Sequence, residues 1–213
     1  MAVRVQMNEA ARHIFDYTVD MRFTLGVDEA GRGPLAGPVA VGVVIVPERF
    51  IITREFPGLM DSKQLSPKAR EKMFRLLRKR MQEGDVRFCV RSTSAGRIDA
   101  WGLTRAVASA TARAVRFLAP SPDDIAIYLD GLLVAPREYA QQTIIGGDEA
   151  VPIIALASIA AKVARDRLMV RLAKQFPAYG FEKHKGYGTV AHYLALKKYG
   201  PCVIHRRSFL HLI

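Results

Sequence analysis

What the chain lacks narrows it first. Cys89 and Cys202 are its only cysteines and lie far apart. A disulfide framework or a zinc cluster of the usual spacing is excluded, and a reduced, cytoplasmic protein is expected. No apolar run approaches the ~20 residues that span a membrane. The first twenty residues carry Glu9, Asp16 and Asp20 and do not follow the basic-then-apolar order of a secretory leader. No repeat, linker or low-complexity tract is visible. Acid is scarce in one region only. Residues 151–213 hold 11 Lys and Arg against 2 Asp and Glu, and so carry +9 of the net charge of +12. Such asymmetry suits a polyanion-binding face, with a merely solvated basic surface as the bland alternative.

At 213 residues, half of them hydrophobic, the chain can enclose one full core. Phe23–Asp28 and Val39–Val46 are β-branched apolar runs around a Gly/Pro-rich turn and predict two paired strands. Ser66 as N-cap, Pro67 at the first helical position and Gly84 as a stop bound a helix. Val86–Val90 predicts a third strand and Ile98–Leu118 one long Ala-rich helix. Ile125–Leu129 is a buried strand, Thr143–Ile145 a short extended piece and Pro152–Phe176 a helix. Thr189–Tyr199 is a last helix, ended by Gly200. Val5–Val19 has weak helical periodicity and reads as an N-terminal extension of about residues 1–20. The order predicts a layered α/β domain with a mixed sheet spanning residues 1–213. A basic helical part from about residue 180 packs on it.

Four acids stand at element boundaries. Asp28 and Glu29 end the first strand, Asp130 ends a later one, and Asp148 stands just before a helix. Each alone can be a turn or capping residue. Together they repel and raise one another's pKa unless a cation holds them, and no Lys or Arg lies within those strand ends. Hard, oxygen-liganded Mg²⁺ or Mn²⁺ answers that need. An acid cluster in a basic protein points to phosphodiester chemistry with two metals, the surrounding Lys and Arg holding the backbone. Gly31-Arg32-Gly33-Pro34 lacks the Lys-Ser/Thr of a nucleotide phosphate loop. Its glycines instead let a nucleic-acid strand approach the backbone amides.

DEAGRGPLAGPV (Asp28–Val39), DSKQLS (Asp61–Ser66), YLDG (Tyr128–Gly131), AKVARDRLM (Ala161–Met169), YGFEKHKGYGT (Tyr179–Thr189) and GPCVIHRRSF (Gly200–Phe209) resemble the type 2 ribonucleases H, the ribonuclease HII family. The resemblance runs in the family's order over nearly the whole chain. It implies an α/β, ribonuclease H-like five-stranded mixed sheet flanked by helices, with additional C-terminal helices. It also implies a metal-dependent endoribonuclease using Mn²⁺ or Mg²⁺. Its substrates are RNA–DNA hybrids and DNA containing ribonucleotides, and its products 3′-hydroxyl and 5′-phosphate ends. The family's metal-binding carboxylates fall on Asp28, Glu29, Asp130 and Asp148. Its Gly-Arg-Gly falls on Gly31, Arg32 and Gly33, and its junction-sensing tyrosine on Tyr187. The family usually has Lys before the Gly-Asp of the fourth acid, where this chain has Gly146. Arg32 and the short N-terminus favour type HII over type HIII.

The remaining readings are plainer. Lys63 either contacts phosphate or is simply exposed. Lys183 and Lys185 are expected to hold the phosphate backbone. Asp166 is read as a structural ion-pair acid, His184 as a solvated loop histidine and His205-Arg206-Arg207 as part of the basic flank. Trp101 is expected to pack in the long helix and Cys89 to fill the core. A monomer is expected, and no motif identifies a protein partner. Two rivals remain: a non-catalytic nucleic-acid-binding module, and a resolvase-like nuclease cutting DNA without ribose.

Overall fold

The structure is a computed structural model and describes residues 22–59 and 64–210. The expected N-terminal extension and Lys63 lie outside the described residues. Five strands, β1 (Phe23–Ala30), β2 (Val39–Pro47), β3 (Arg87–Thr93), β4 (Ile125–Asp130) and β5 (Ala140–Ile144), form one sheet in the order β3-β2-β1-β4-β5. β1 pairs antiparallel with β2 and parallel with β4, so the sheet is mixed. β3 runs from Arg87 to Thr93 and not Val86–Val90. β5 starts at Ala140, because its Gln-Gln-Thr stretch pairs with β4 although it lacks an apolar pattern.

The helices are α1 (Ile52–Glu55), α2 (Pro67–Glu83), α3 (Ala95–Trp101), α4 (Leu103–Leu118), α5 (Gly147–Ala150), α6 (Pro152–Gln175), α7 (Phe181–His184) and α8 (Val190–Tyr199). In α2 the Ser66 side chain accepts from the Ala69 amide, and Gly84 ends the helix at φ 87°. The long helix predicted over 98–118 is two helices. Gly102 still donates to the Ile98 carbonyl, but its φ of 78° and ψ of 155° turn the chain out of helical geometry.

Period-two alternation sends the strands' side chains to opposite faces. Leu25, Val27, Val41, Val43, Ile127 and Leu129 pack with α4 residues such as Ala110 and Val115. Val44 and Val46 face the other way, with Phe74 and Leu77 of α2 and Ile154, Leu156 and Ile159 of α6. The first half of α6, through Ala161, is apolar nearly all round, as a helix segment enclosed by a protein must be, whereas its second half carries charged residues. A Cβ on Gly26 would lie 2.3 Å from the Ile153 carbonyl oxygen, and one on Gly42 2.3 Å from that of Ala157. These two glycines let the α6 backbone press directly on β1 and β2. A third cluster, including Leu35, Ala36, Met169, Phe181 and Leu196, fastens the C-terminal helices to the turn after β1.

Candidate active site

The alternation that builds the core also sorts the acids. Val27 pairs with Leu129 across the parallel β1–β4 ladder. Both face α4, so the next residues, Asp28 and Asp130, emerge side by side on the α6 face. Asp148 arrives from below. It lies inside the single turn of α5, just ahead of α6 as its sequence position suggests, and is buried. One carboxylate oxygen from each of Asp28, Asp130 and Asp148 lies within 4.8 Å of the other two. Glu29 stands outside this trio, since its place in the pleat is opposite to that of Asp28.

Each acid has a defined surrounding. The Glu29 amide donates to Asp28 Oδ1 at 2.6 Å, and the Gly147 amide donates to Asp130 Oδ1 at 2.7 Å. Burial, and after it the charges of Glu29 and Asp130, holds the Asp28 carboxyl well above the ordinary carboxylate range. The Ser158 hydroxyl, donating from α6, pulls the other way, by more than the Asp130 charge adds. Burial likewise raises Glu29, opposed by Arg32, whose guanidinium lies 3.5 Å away. The strand end thus does have one cation, supplied by the turn. A cleft lined by Phe56, Gly58 and Leu59 opens beside Asp148.

Oxygens on opposite sides of one Mg²⁺ are roughly 4.2 Å apart. A trio within 4.8 Å, made of hard carboxylate oxygens and one strongly destabilised acid, therefore fits a single divalent cation with little closure.

Beyond β1 the chain turns through Gly31, which is buried with φ 91°, and the exposed Arg32 and Gly33. Against this turn lies the loop of Tyr187, a residue 42% exposed. The Leu35 amide donates to the Gly186 carbonyl at 2.8 Å. Three histidines hold the loop from beneath. The Cys202 amide donates to His205 Nδ1 at 2.9 Å, so the His205 proton sits on Nε2 and is donated to His192 Nε2 at 3.0 Å. His192 Nδ1–H in turn donates to the Tyr187 carbonyl at 2.9 Å. Burial first, and the neighbouring His192 next, pushes His205 down to about 4, which keeps this chain of imidazoles neutral.

Several expectations fall differently. His184 is not a solvated loop residue: its ring stacks on His192 with centroids 4.4 Å apart, and Nε2 meets the Tyr179 carbonyl. His205 and Arg206 are 2% and 0% exposed, so only Arg207 of that triplet belongs to the basic surface. Trp101 does not pack inside a long helix. It ends α3, 38% exposed, with the Arg97 and Arg105 guanidiniums over its ring at 5.4 and 6.0 Å. Asp166 is ion-paired, to Lys162 at 2.9 Å. Cys89 packs on the core as expected. Lys183 is exposed, while the Lys185 ammonium is bonded to the Glu182 carbonyl. Sequence reasoning did not select Ser158, Arg165 or His192, and it placed Arg206 on the surface. Arg165 and His192 lie within or next to the motif blocks but carry no mark of burial.

An acid trio on one face of the two central parallel strands, in a sheet of this order, is the architecture of a ribonuclease H-like hydrolase. The comparisons with known proteins narrow this further. The family model for ribonuclease HII matches residues 25–212. Ribonuclease HII of Chlamydia muridarum is 47% identical over 184 residues, 86% of this chain and 80% of that protein. The ribonuclease HII of the PCNA:RNase HII complex from Archaeoglobus fulgidus superimposes with a TM-score of 0.71 at 25% identity, over 89% of this chain and 95% of that one. A Bst ribonuclease HIII solved with Mn²⁺ shares the fold, with a TM-score of 0.61 at 20% identity, over 86% of this chain and 64% of that one. The chain belongs to the ribonuclease HII family and is a type 2 ribonuclease H, an endoribonuclease.

Proposed function

We propose that this enzyme, acting as a monomeric single-domain nuclease, cuts RNA in RNA–DNA duplexes and cuts 5′ of ribonucleotides embedded in DNA, leaving 3′-hydroxyl and 5′-phosphate ends. The convergence of Asp28, Asp130 and Asp148 within 4.8 Å, beside the exposed Arg32-Gly33 turn, carries this reading. The trio would hold Mn²⁺ or Mg²⁺, with Glu29 completing the acidic lining. A bound ion of this kind supplies an acidified water and charge neutralisation at the leaving oxygen.

The chain's own residues do the rest. Ser158 and the Glu29 amide fix the Asp28 carboxylate, and the Gly147 amide fixes that of Asp130. Arg32 stands beside Glu29 and is placed to meet a phosphate. Among the described residues, no acceptor meets the Arg32 and Gly33 amides, which leaves them free for a 2′-oxygen or a phosphate oxygen. Tyr187 presents its ring and hydroxyl from the opposite wall. Lys183 and the basic C-terminal third hold the flanking backbone, with Lys63 and Lys185 as further phosphate contacts.

The test is cleavage of a DNA duplex carrying one ribonucleotide, beside an RNA–DNA hybrid and an all-DNA control, with Mn²⁺ or Mg²⁺ and with chelator. Cleavage of the first two only, and only with metal, is expected. Cutting of the all-DNA duplex, or metal-independent cutting, would overturn the reading.

A further inference from the structure

Two arginines lie beneath the turn with no acid in ion-pair contact, although Asp99 acts on Arg206 and Asp166 on Arg165 from farther off. Arg165 is 1% exposed and Arg206 0%. Among the described residues neither makes a salt bridge. Arg206 donates from Nε to the Gly37 carbonyl at 3.0 Å, from Nη1 to that of Arg32 at 2.6 Å and from Nη2 to that of Gly31 at 2.6 Å. Arg165 donates from Nε to the Pro38 carbonyl at 2.9 Å, from Nη2 to that of Ala36 at 3.2 Å and from Nη1 to that of Lys185 at 3.1 Å. All these acceptors are backbone oxygens.

Enclosing two cations this way is expensive when apolar side chains of the same volume would fill the space. What the guanidinium adds is geometry, a planar fork with donors in fixed directions. In a trans peptide the carbonyl of one residue and the amide of the next point in opposite directions. Drawing the Gly31 and Arg32 carbonyls inward onto Arg206 therefore turns the Arg32 and Gly33 amides outward. Those are the amides that no acceptor meets among the described residues. Gly31 is obligatory in this packing, since a Cβ there would lie 1.9 Å from Arg165 Nε.

Arg165 has a second function. Its carbonyl partners belong to two segments, the turn and the loop that carries Tyr187, and its guanidinium carbon lies 5.9 Å from the Tyr187 ring centre. Lys185 is held there at φ 53°, a conformation a non-glycine residue seldom keeps. The two surfaces that face a ribose are therefore joined through one side chain.

We propose that Arg165 and Arg206 are positioning residues for ribose discrimination: Arg206 aims the Arg32 and Gly33 amides at the sugar–phosphate, and Arg165 fixes the separation between that turn and Tyr187. This rests on the reading of the turn and Tyr187 given above.

The test uses Arg165→Lys and Arg206→Lys in the full chain, each of which keeps the charge and loses the fork. Expected is a fall of about tenfold or more in kcat/KM at a single embedded ribonucleotide, with a fall of only about threefold on a uniform hybrid. A double-mutant cycle on the single-ribonucleotide substrate then separates positioning from mere support. Arg165→Lys with Tyr187→Phe should be no worse than the poorer single variant, whereas Arg206→Lys with Tyr187→Phe should multiply. Equal losses on both substrates, tracking a lowered Tm, overturn the proposal. So does multiplicative behaviour of the Arg165–Tyr187 pair. Where Tyr187→Phe alone leaves single-ribonucleotide cleavage intact, the reading of Tyr187 has failed. Where Tyr187→Phe impairs it and both lysine variants do not, only the present proposal has failed. Should the lysine variants not fold, backbone relaxation of the wild-type enzyme decides. Gly31–Gly33 should have order parameters near those of β1, roughly 0.85, before any substrate is added. In chelator, a ribonucleotide-containing duplex should shift the Arg32 and Gly33 amides more than the all-DNA duplex does. A mobile turn, or identical shifts, refutes it.

Discussion

Neutralising Asp28 should make the enzyme both inactive and, without metal, more stable. Asp28→Asn keeps the volume and removes one charge from three carboxylates lying within 4.8 Å. At that separation and an effective dielectric near 20, two ionised carboxylates repel by roughly 3 kcal/mol. The gain is smaller than this, because the raised Asp28 carboxyl already relieves part of the repulsion by binding a proton. About 1–3 kcal/mol is expected, a rise in metal-free Tm of roughly 2–12 °C for a chain of this size. The pH dependence follows with a definite sign. A carboxyl whose folded pKa is raised contributes stability that is fully present below its unfolded value, near 3.9, and is lost as pH rises through the folded value. The metal-free wild type should therefore lose Tm as pH climbs out of the ordinary carboxylate range, and Asp28→Asn should flatten that slope. Adding Mn²⁺ should invert the ranking, because a ligand bound only by the folded state stabilises it, and the variant binds it poorly. The assays are thermal melts with and without metal across pH, beside cleavage of a duplex with one ribonucleotide, where a loss of at least roughly a thousandfold is expected. Wild-type turnover, or an unchanged metal-induced shift in Tm, would refute the assignment of Asp28 as a ligand.

Three further outcomes are expected. Tyr187→Ala should lose about 5- to 150-fold in kcat/KM at a single ribonucleotide, one hydrogen bond of 1–3 kcal/mol, and distinctly less on a long hybrid; equal losses with a lower Tm would make Tyr187 structural. Duplex affinity should fall steeply with salt, and neutralising Lys183 and Lys185 together should reduce the slope by about one to two, as measured by fluorescence anisotropy from low to moderate salt; an unchanged slope places the phosphates elsewhere. Gly26→Ala should cost about 3 kcal/mol or more, since its methyl would meet the Ile153 carbonyl at 2.3 Å, and chemical denaturation would register it.

The sheet and most helices were legible because the cues were local: β-branched runs, Ser66 and Gly84 as caps, and the apolar, Ala-rich first half of α6. The Gly102 break was not, since an isolated glycine in an Ala-rich stretch does not announce whether it will adopt a left-handed φ. Asp28 and Asp130 could be picked out as acids that end buried runs, and the strand period explains why they share a face while Glu29 does not. Asp148 and Glu29 were chosen as readily, yet only the tertiary fold shows which of them joins the trio. Arg165 and Arg206 escaped because arginine is seldom enclosed without an acid, and their partners are carbonyls, which every residue possesses. His192 and His205 were hidden for the same reason, each satisfied by main chain or by the other.

The glycines that seat α6 on the sheet have a consequence for where the backbone is cut. Ser158 touches Asp28 at one place on that helix, and Arg165 grips the turn and the Tyr187 loop at another. Seven residues separate them, two helical turns, so both side chains leave the same face about 10 Å apart. On the proposed reading, the helix is a ruler between the phosphate that is attacked and the sugar that is inspected. The cut then falls at a constant offset from the ribose because a rigid rod measures it. A single residue inserted between Ser158 and Arg165 would rotate one end by about 100° relative to the other and leave the ruler without a scale.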